Sequence, residues 1–270
     1  MRLFSLYLAA ASCSSALAAT WFSADAIANW DQALRFSIAE NGSPMFHFAQ
    51  ANGNPMCYPT WPFRPDGSKR PAQGRSNWPT TGPCKQMDLN KRGWGEKMPV
   101  YYTIKRCGGD EVRVGYSVFW EKDGFNGNGH DYDWENVVVI WRRNGDKFWK
   151  DSIKISQHKG YSSKSWNDIP QTVDGGNWFE SGARGKDHPK IYVGWCKHAM
   201  FYEKKTQFST IVACLDGTEM RSDDWYYVAV NSDDLISANK NSAMDAKFRA
   251  NDWGDAYSKP DRIYDSLCNI

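Results

Sequence analysis

Apolar positions along this chain switch period twice, from helical spacing to strand spacing and back. Between Ser23 and Glu40, Ile27, Trp30, Leu34 and Ile38 recur at steps of three or four, predicting one amphipathic helix that stops near Asn41-Gly42. Its stripe is expected to pack on the body of the protein rather than lie in a membrane. From Met45 to Gly95 the chain is dense in Pro, Gly and Asn, which predicts loops with short strands. Then come strand-like runs at Val100 to Ile104, Glu111 to Trp120, Trp134 to Arg142, Lys147 to Ile155, Ile191 to Trp195, Gln207 to Cys214 and Trp225 to Val230. Ser232 to Arg249 and Pro260 to Leu267 read as helices, the second opened by its proline. The expected fold class is mainly β with flanking helices (α+β), a single-domain, mostly antiparallel β-sandwich. No internal repeat interrupts it, and no segment after the first eighteen residues approaches the roughly 20 apolar residues that span a bilayer.

The pattern changes most abruptly at Gly129-His130-Asp131-Tyr132-Asp133-Trp134-Glu135, which runs directly into Val137-Val138-Val139-Ile140-Trp141. An imidazole and three carboxylates stand where the chain becomes too apolar to face water. Strand alternation sends Asp133 and Glu135 to one side and Trp134 to the other. The glycine-rich approach, Gly124 to Gly129, lets a loop curl back and bring Asp123 to the strand end. Asp123, His130, Asp133 and Glu135 offer mostly hard oxygen donors with one imidazole, a set suited to magnesium, calcium or manganese rather than a structural zinc. Solvated surface carboxylates and a hydrogen-bonded histidine are the plainer alternative.

The heptapeptide resembles the Gly-His-Arg-His-Asp-Trp-Glu signature of the necrosis- and ethylene-inducing peptide-like proteins, secreted toxins of plant-associated fungi, oomycetes and bacteria. Upstream, Tyr116-Ser117-Val118-Phe119-Trp120-Glu121-Lys122-Asp123 is similar to that family's Tyr-Ser-Trp-Tyr-Phe-Pro-Lys-Asp. More loosely, Ser156-Gln157-His158-Lys159-Gly160-Tyr161 and Trp253-Gly254-Asp255-Ala256 resemble other family segments, and His198 falls where a family histidine is expected. The resemblance implies a sandwich like that of actinoporins and fungal lectins, with Asp123, His130, Asp133 and Glu135 holding a divalent cation, Mg or Ca. It implies as partner the glycosylated inositol-phosphate sphingolipid headgroup at the plant membrane surface, with His158, His198, Asp131 and Tyr132 near the headgroup or behind the ligands. It also implies that Cys57 pairs with Cys84. Asp131 and Tyr132 depart from the signature, where Arg and a second His are usual; an anion in place of a cation disfavours an anionic headgroup.

Composition narrows the setting. The 270 residues, 41% hydrophobic and 15% aromatic, suffice for one buried core. Residues 1–18 read as a secretory signal with Ala16-Leu17-Ala18 before the cut, leaving 19–270 as the mature, extracellular domain. Cys13 leaves with it, and Cys57, Cys84, Cys107, Cys196, Cys214 and Cys268, with no Cys-x-x-Cys among them, read as three disulfides. A net charge of +2, about +1 once Arg2 is removed, leaves no footprint for nucleic acid and no broad pull toward anionic lipid. A monomer is the expected unit. The sequon Asn41-Gly42-Ser43 is followed at once by Pro44, which weakens it.

Three functions compete. A cation-dependent headgroup binder, a membrane-active toxin, follows from the resemblance. A secreted adhesive or structural relative without toxicity follows from Asp131 and Tyr132. A hydrolase could use Asp133 and Glu135 as acid and base, or a metal-bound water with His158 or His198 as proton carrier. No His-Glu-x-x-His, Gly-x-Ser-x-Gly or phosphate loop supports it, so no enzyme is expected. Of the aromatic residues, Trp61, Trp78 and Trp94, in polar loop context, are the candidates for an exposed sugar- or membrane-facing patch.

Overall fold

The computed structural model describes residues 20–51, 54–73, 84–86, 93–94, 97–124, 129–157, 160–175, 183–195, 197–204, 218–220 and 225–270. In chain order its elements are β1 (Phe22–Ser23), α1 (Ala24–Ala28), α2 (Gln32–Glu40), β2 (Met45–Ala51), β3 (Asn54–Pro55), β4 (Gly93–Trp94), β5 (Val100–Arg106), β6 (Glu111–Trp120), β7 (Asp133–Asn144), β8 (Lys147–Gln157) and β9 (Gly160–Ser165). There follow β10 (Thr172–Val173), β11 (His188–Val193), β12 (Met200–Phe201), β13 (Thr218–Met220), β14 (Trp225–Val228), β15 (Leu235–Ser237), α3 (Ala243–Ala250) and α4 (Pro260–Ser266).

One sheet runs β1-β8-β7-β6-β5-β15, with β9 on β8; the other runs β10-β11-β2-β14-β4, with β3, β12 and β13 attached. The chain is mainly β with flanking helices, and most pairings are antiparallel as expected. Among the described residues three are parallel: β11 with β2, β14 with β4 and β15 with β5.

The side-chain period of two builds the layers. On β5, β6 and β7 the residues Val100, Tyr102, Ile104, Val112, Val114, Tyr116, Val137 and Val139 enter one core cluster, joined from the second sheet by Phe46, Phe48, Ile191 and Val193. The alternate residues face the helices. Val138 and Ile140 meet Ile263 and Leu267 of the C-terminal segment, and Tyr101, Phe119 and Trp134 meet Phe248 of α3 and Trp253. Strand β7 is therefore buried on both faces from Asp133 through Trp141, which explains why its sequence reads as a continuous apolar run. Each such fully buried large side chain contributes about 1.5–3 kcal/mol by leaving water.

Two helix predictions are corrected. The stretch Ser23 to Glu40 forms two helices, because Asn29 closes the first and the Asp31 carboxylate accepts from the Leu34 N–H at 2.8 Å to start a second. In Ser232 to Arg249, Leu235–Ser237 instead pairs in parallel with Val100–Tyr102, and the helix starts only at Ala243, capped by Ser242 Oγ. A partner strand outweighs local helical spacing there. Pro260 does open a helix. The Gln207 to Cys214 strand lies outside the described residues.

Two disulfides close loops, Cys57–Cys84 and Cys107–Cys268. The first is the pairing that the resemblance implies; Cys196 and Cys214, predicted to form a disulfide with the rest, lie outside the described residues. No described helix is long and apolar enough to cross a membrane.

Candidate functional site

Strand β7 begins with Asp133, and its alternation points Asp133 and Glu135 to the same side as Val137 and Val139, at the end of the inter-sheet core. Strand β6 ends at Trp120, and the chain continues through Glu121 and Lys122 to Asp123, whose backbone N–H donates to the His130 carbonyl at 2.9 Å. Gly129 makes that return possible. Its φ is +98°, and a Cβ there would lie 2.3 Å from the Asp123 carbonyl oxygen, so only glycine fits.

The three carboxylates, each 5% exposed, reach a cavity of about 730 Å³ with His130 and Ser156. His198, between β11 and β12 of the second sheet, meets Asp133 from across the sandwich. Its Nδ1–H donates to Asp133 Oδ2 at 2.8 Å, and its ring lies flat on the Trp120 indole, 4.3 Å between centroids at 7°. It holds this place in the left-handed region, φ 51°, a conformation that costs a non-glycine residue of order 1 kcal/mol. One donor atom each from Asp123, Asp133 and His198 lies within 4.8 Å of the others. His130 points its Nδ1 to the Tyr132 carbonyl, which fixes that nitrogen as the donor and leaves the Nε2 lone pair 3.5 Å from Asp123 Oδ2. Ser156 donates its hydroxyl to Glu135 and accepts from the Asn136 N–H.

Burial dominates the electrostatics. It raises the Asp123 carboxyl to about 6, with the Asp133 charge adding to the rise, and the Asp133 carboxyl to about 7. Glu135 is raised well above its ordinary value for the same two reasons. Burial also drives His198 down to about 3, so its ring is neutral. Asp123 Oδ1 is buried without any hydrogen-bond partner, a costly arrangement for a carboxylate unless something else takes up the charge. Buried oxygens, an imidazole lone pair and an unsatisfied carboxylate atom together fit a divalent cation.

The structure brings Asp123, His130, Asp133 and Glu135 to one cavity, with His198 hydrogen-bonded to Asp133. His158 lies outside the described residues, as does Trp78. Asp131 is exposed beside the site, whereas Tyr132 turns inward: it is 9% exposed, packs against Phe119 and Trp253, and has Lys69 4.6 Å above its ring. Trp61 is exposed as expected, and the Trp94 backbone lies in β4. Sequence reasoning missed Ser156, Tyr161 and Lys197 at the cavity, Trp120 stacked on His198, and the turn from Asp255 to Ser258 on the cavity wall. Trp120 and the segments around Ser156 and Asp255 stood inside quoted family-like stretches, but nothing in their spacing showed that they converge.

These features define a class, the two-sheet protein with an acidic, cation-sized cluster set in the open end of its sandwich. The chain belongs to the necrosis inducing protein (NPP1) family, whose profile matches residues 43–251. Among solved structures it is similar to NLPPya in complex with mannosamine, at 17% identity with 86% of each chain covered and a TM-score of 0.52. It is also similar to a toxin fold for microbial attack and plant defense, at 18% identity, 82% of each chain and a TM-score of 0.47. A third is necrosis and ethylene inducing protein 2 from the causal agent of cocoa's witches' broom disease, at 15% identity, 79% of this chain, 77% of that one and a TM-score of 0.45. No curated protein matches the chain.

Proposed function

We propose that this protein is a secreted, cation-dependent binder of a membrane glycan, with Asp123, His130, Asp133 and Glu135 holding Mg or Ca and His198 orienting Asp133. The observation that carries the reading is the partnerless, buried Asp123 Oδ1 beside two further buried carboxylates in one cavity. The cation supplies open coordination positions that sugar hydroxyls fill; the protein's part is to keep the donors in place and water out. The target is the glycosylated inositol-phosphate sphingolipid headgroup of plant plasma membranes, consistent with the family's necrosis-inducing activity and with a relative held in complex with mannosamine. Residues 1–18 are the leader and 19–270 the acting domain.

Binding is favoured over catalysis because Ser156, the hydroxyl on the carboxylates, is committed on both its donor and acceptor sides. A second reading, a non-toxic adhesive relative, is favoured by the exposed Asp131 anion beside the cavity. Calorimetric titration of the purified protein with MgCl2 and CaCl2 tests the first step: heat of binding that Asp133→Asn abolishes is expected, and no heat from either salt overturns it. Leakage of vesicles carrying the plant sphingolipids then separates toxin from adhesive relative.

A further inference from the structure

The Trp120 indole is fully buried and takes part in two sets of contacts at once. One set belongs to the cation site. Trp120 stands opposite Asp133 in the register of β6 and β7, and its face carries the His198 ring that donates to Asp133. The other set belongs to a disulfide. The indole Nε1–H donates to the Cys57 carbonyl at 3.1 Å. Cys57 is itself fastened: its sulfur is bonded to Cys84, its backbone bridges to Gln86, and the Tyr58 N–H donates to the Lys85 carbonyl at 2.6 Å. The Thr60 N–H donates to the Phe119 carbonyl at 3.1 Å, so the segment after Cys57 runs against the end of β6.

Each of these contacts is directional. A hydrogen bond at the edge of a flat indole fixes its plane, and a second ring lying on it at 7° takes the same plane. The Nδ1–H in the plane of that second ring then sets where the Asp133 carboxylate lies. Cys57, Trp120, His198 and Asp133 are all buried, and close-packed groups pass a displacement on rather than absorb it. The disulfide supplies the two discrete states, bonded and open, that coupling between distant groups requires. Cys107–Cys268 fastens the C-terminal segment instead.

We propose that Trp120 is a positioning residue that couples the Cys57–Cys84 disulfide to the cation site, so that opening the bond loosens the hold on the cation. This coupling rests on the cation reading above and adds its control. A dithiol opens the bond by giving two electrons and two protons, leaving two cysteine thiols and its own cyclic disulfide. The linkage is reciprocal: what the closed bond adds to calcium affinity, bound calcium adds to the stability of the bond. Calorimetric titration with CaCl2, on variants whose fold is checked by circular dichroism, reads the first direction. Cys57→Ser with Cys84→Ser is expected to weaken calcium binding about fivefold, the lower end of typical coupling between sites, whereas Cys107→Ser with Cys268→Ser leaves it unchanged. Trp120→Phe keeps a ring but lacks the N–H, and in that background the Cys57 and Cys84 substitutions should weaken calcium binding no further. The second direction needs no variant. In wild-type protein equilibrated with dithiothreitol, its thiols located by alkylation and mass spectrometry, saturating calcium should lower the potential of Cys57–Cys84 by about 20 mV, the same fivefold factor for two electrons. Calcium affinity indifferent to Cys57 and Cys84, a loss that persists in full in Trp120→Phe, or a potential that calcium does not move overturns the coupling and leaves the cation reading standing. Wild-type protein that binds no calcium overturns both.

Discussion

At the residue scale the site is a balance between burial and charge. Asp123 and Asp133, raised to about 6 and about 7, hold protons in the metal-free protein that a cation must displace. Cation affinity is therefore expected to fall as pH drops from about 7.5 to 5, by up to tenfold per unit for each proton displaced. The same shifts act on stability with a definite sign. A carboxyl raised in the folded state stabilises below its ordinary value and loses that contribution as pH rises through its folded one. His198 and His188, lowered to about 3 and about 4, act in the opposite sense, gaining stability as pH rises through their ordinary value of 6.5. Measured against Asp133→Asn, which keeps both histidines and Glu135, metal-free protein should lose up to about 1 kcal/mol between about pH 6.5 and 8 through Asp133. Thermal melts of both proteins in EDTA, with saturating CaCl2 as the rescue, check it; a wild-type melting temperature that does not fall relative to that of Asp133→Asn across the window contradicts it.

At the element scale the return loop and strand β7 share the work. Gly129→Ala is expected to weaken cation binding at least tenfold, because its Cβ would collide with the Asp123 carbonyl and displace that ligand, while the distant core stays folded. Calorimetry alongside circular dichroism separates the two effects. Trp134→Ala should cost about 3–5 kcal/mol, since Trp134 stands between Tyr101, Phe119, Phe248 and Trp253; a denaturant melt reads it. How far these elements were legible depends on where their determinants lie. Strand β6 falls on Glu111–Trp120 as predicted, because alternation and a turn at each end mark it locally. The four proposed ligands were legible too, Asp133 and Glu135 from alternation and Asp123 from the glycines behind it. His198 was visible only as a family-like position, since its contact with Asp133 spans 65 residues and two sheets. Tyr257 gave no signal, because a ring exposed on a turn looks in sequence like any surface tyrosine. The break at Asn29–Asp31 was missed because apolar spacing continues across it while a capping carboxylate restarts the helix.

At the scale of the whole molecule, covalent bonds hold what packing leaves loose. Cys107–Cys268 spans 161 residues and fastens the C-terminal segment to the end of β5, the side on which α4 packs over Gly115. Such a long closure is worth about 5 kcal/mol in the chain-entropy description. Cys107→Ser with Cys268→Ser should therefore lower the melting temperature more than Cys57→Ser with Cys84→Ser, which frees a separation of only 27. Differential scanning calorimetry of the two double variants decides it. The two disulfides also agree with the oxidising surroundings expected of a secreted family member.

The placement of His198 has a consequence for motion. Asp123, Asp133 and Glu135 belong to one layer and His198 to the other, so the hydrogen bond from His198 to Asp133 works as a rivet through both. With the rivet in, the open end of the sandwich cannot breathe, and amide hydrogens at the start of β7 and along β12 should exchange more slowly together; with it out, the two layers part first at that end.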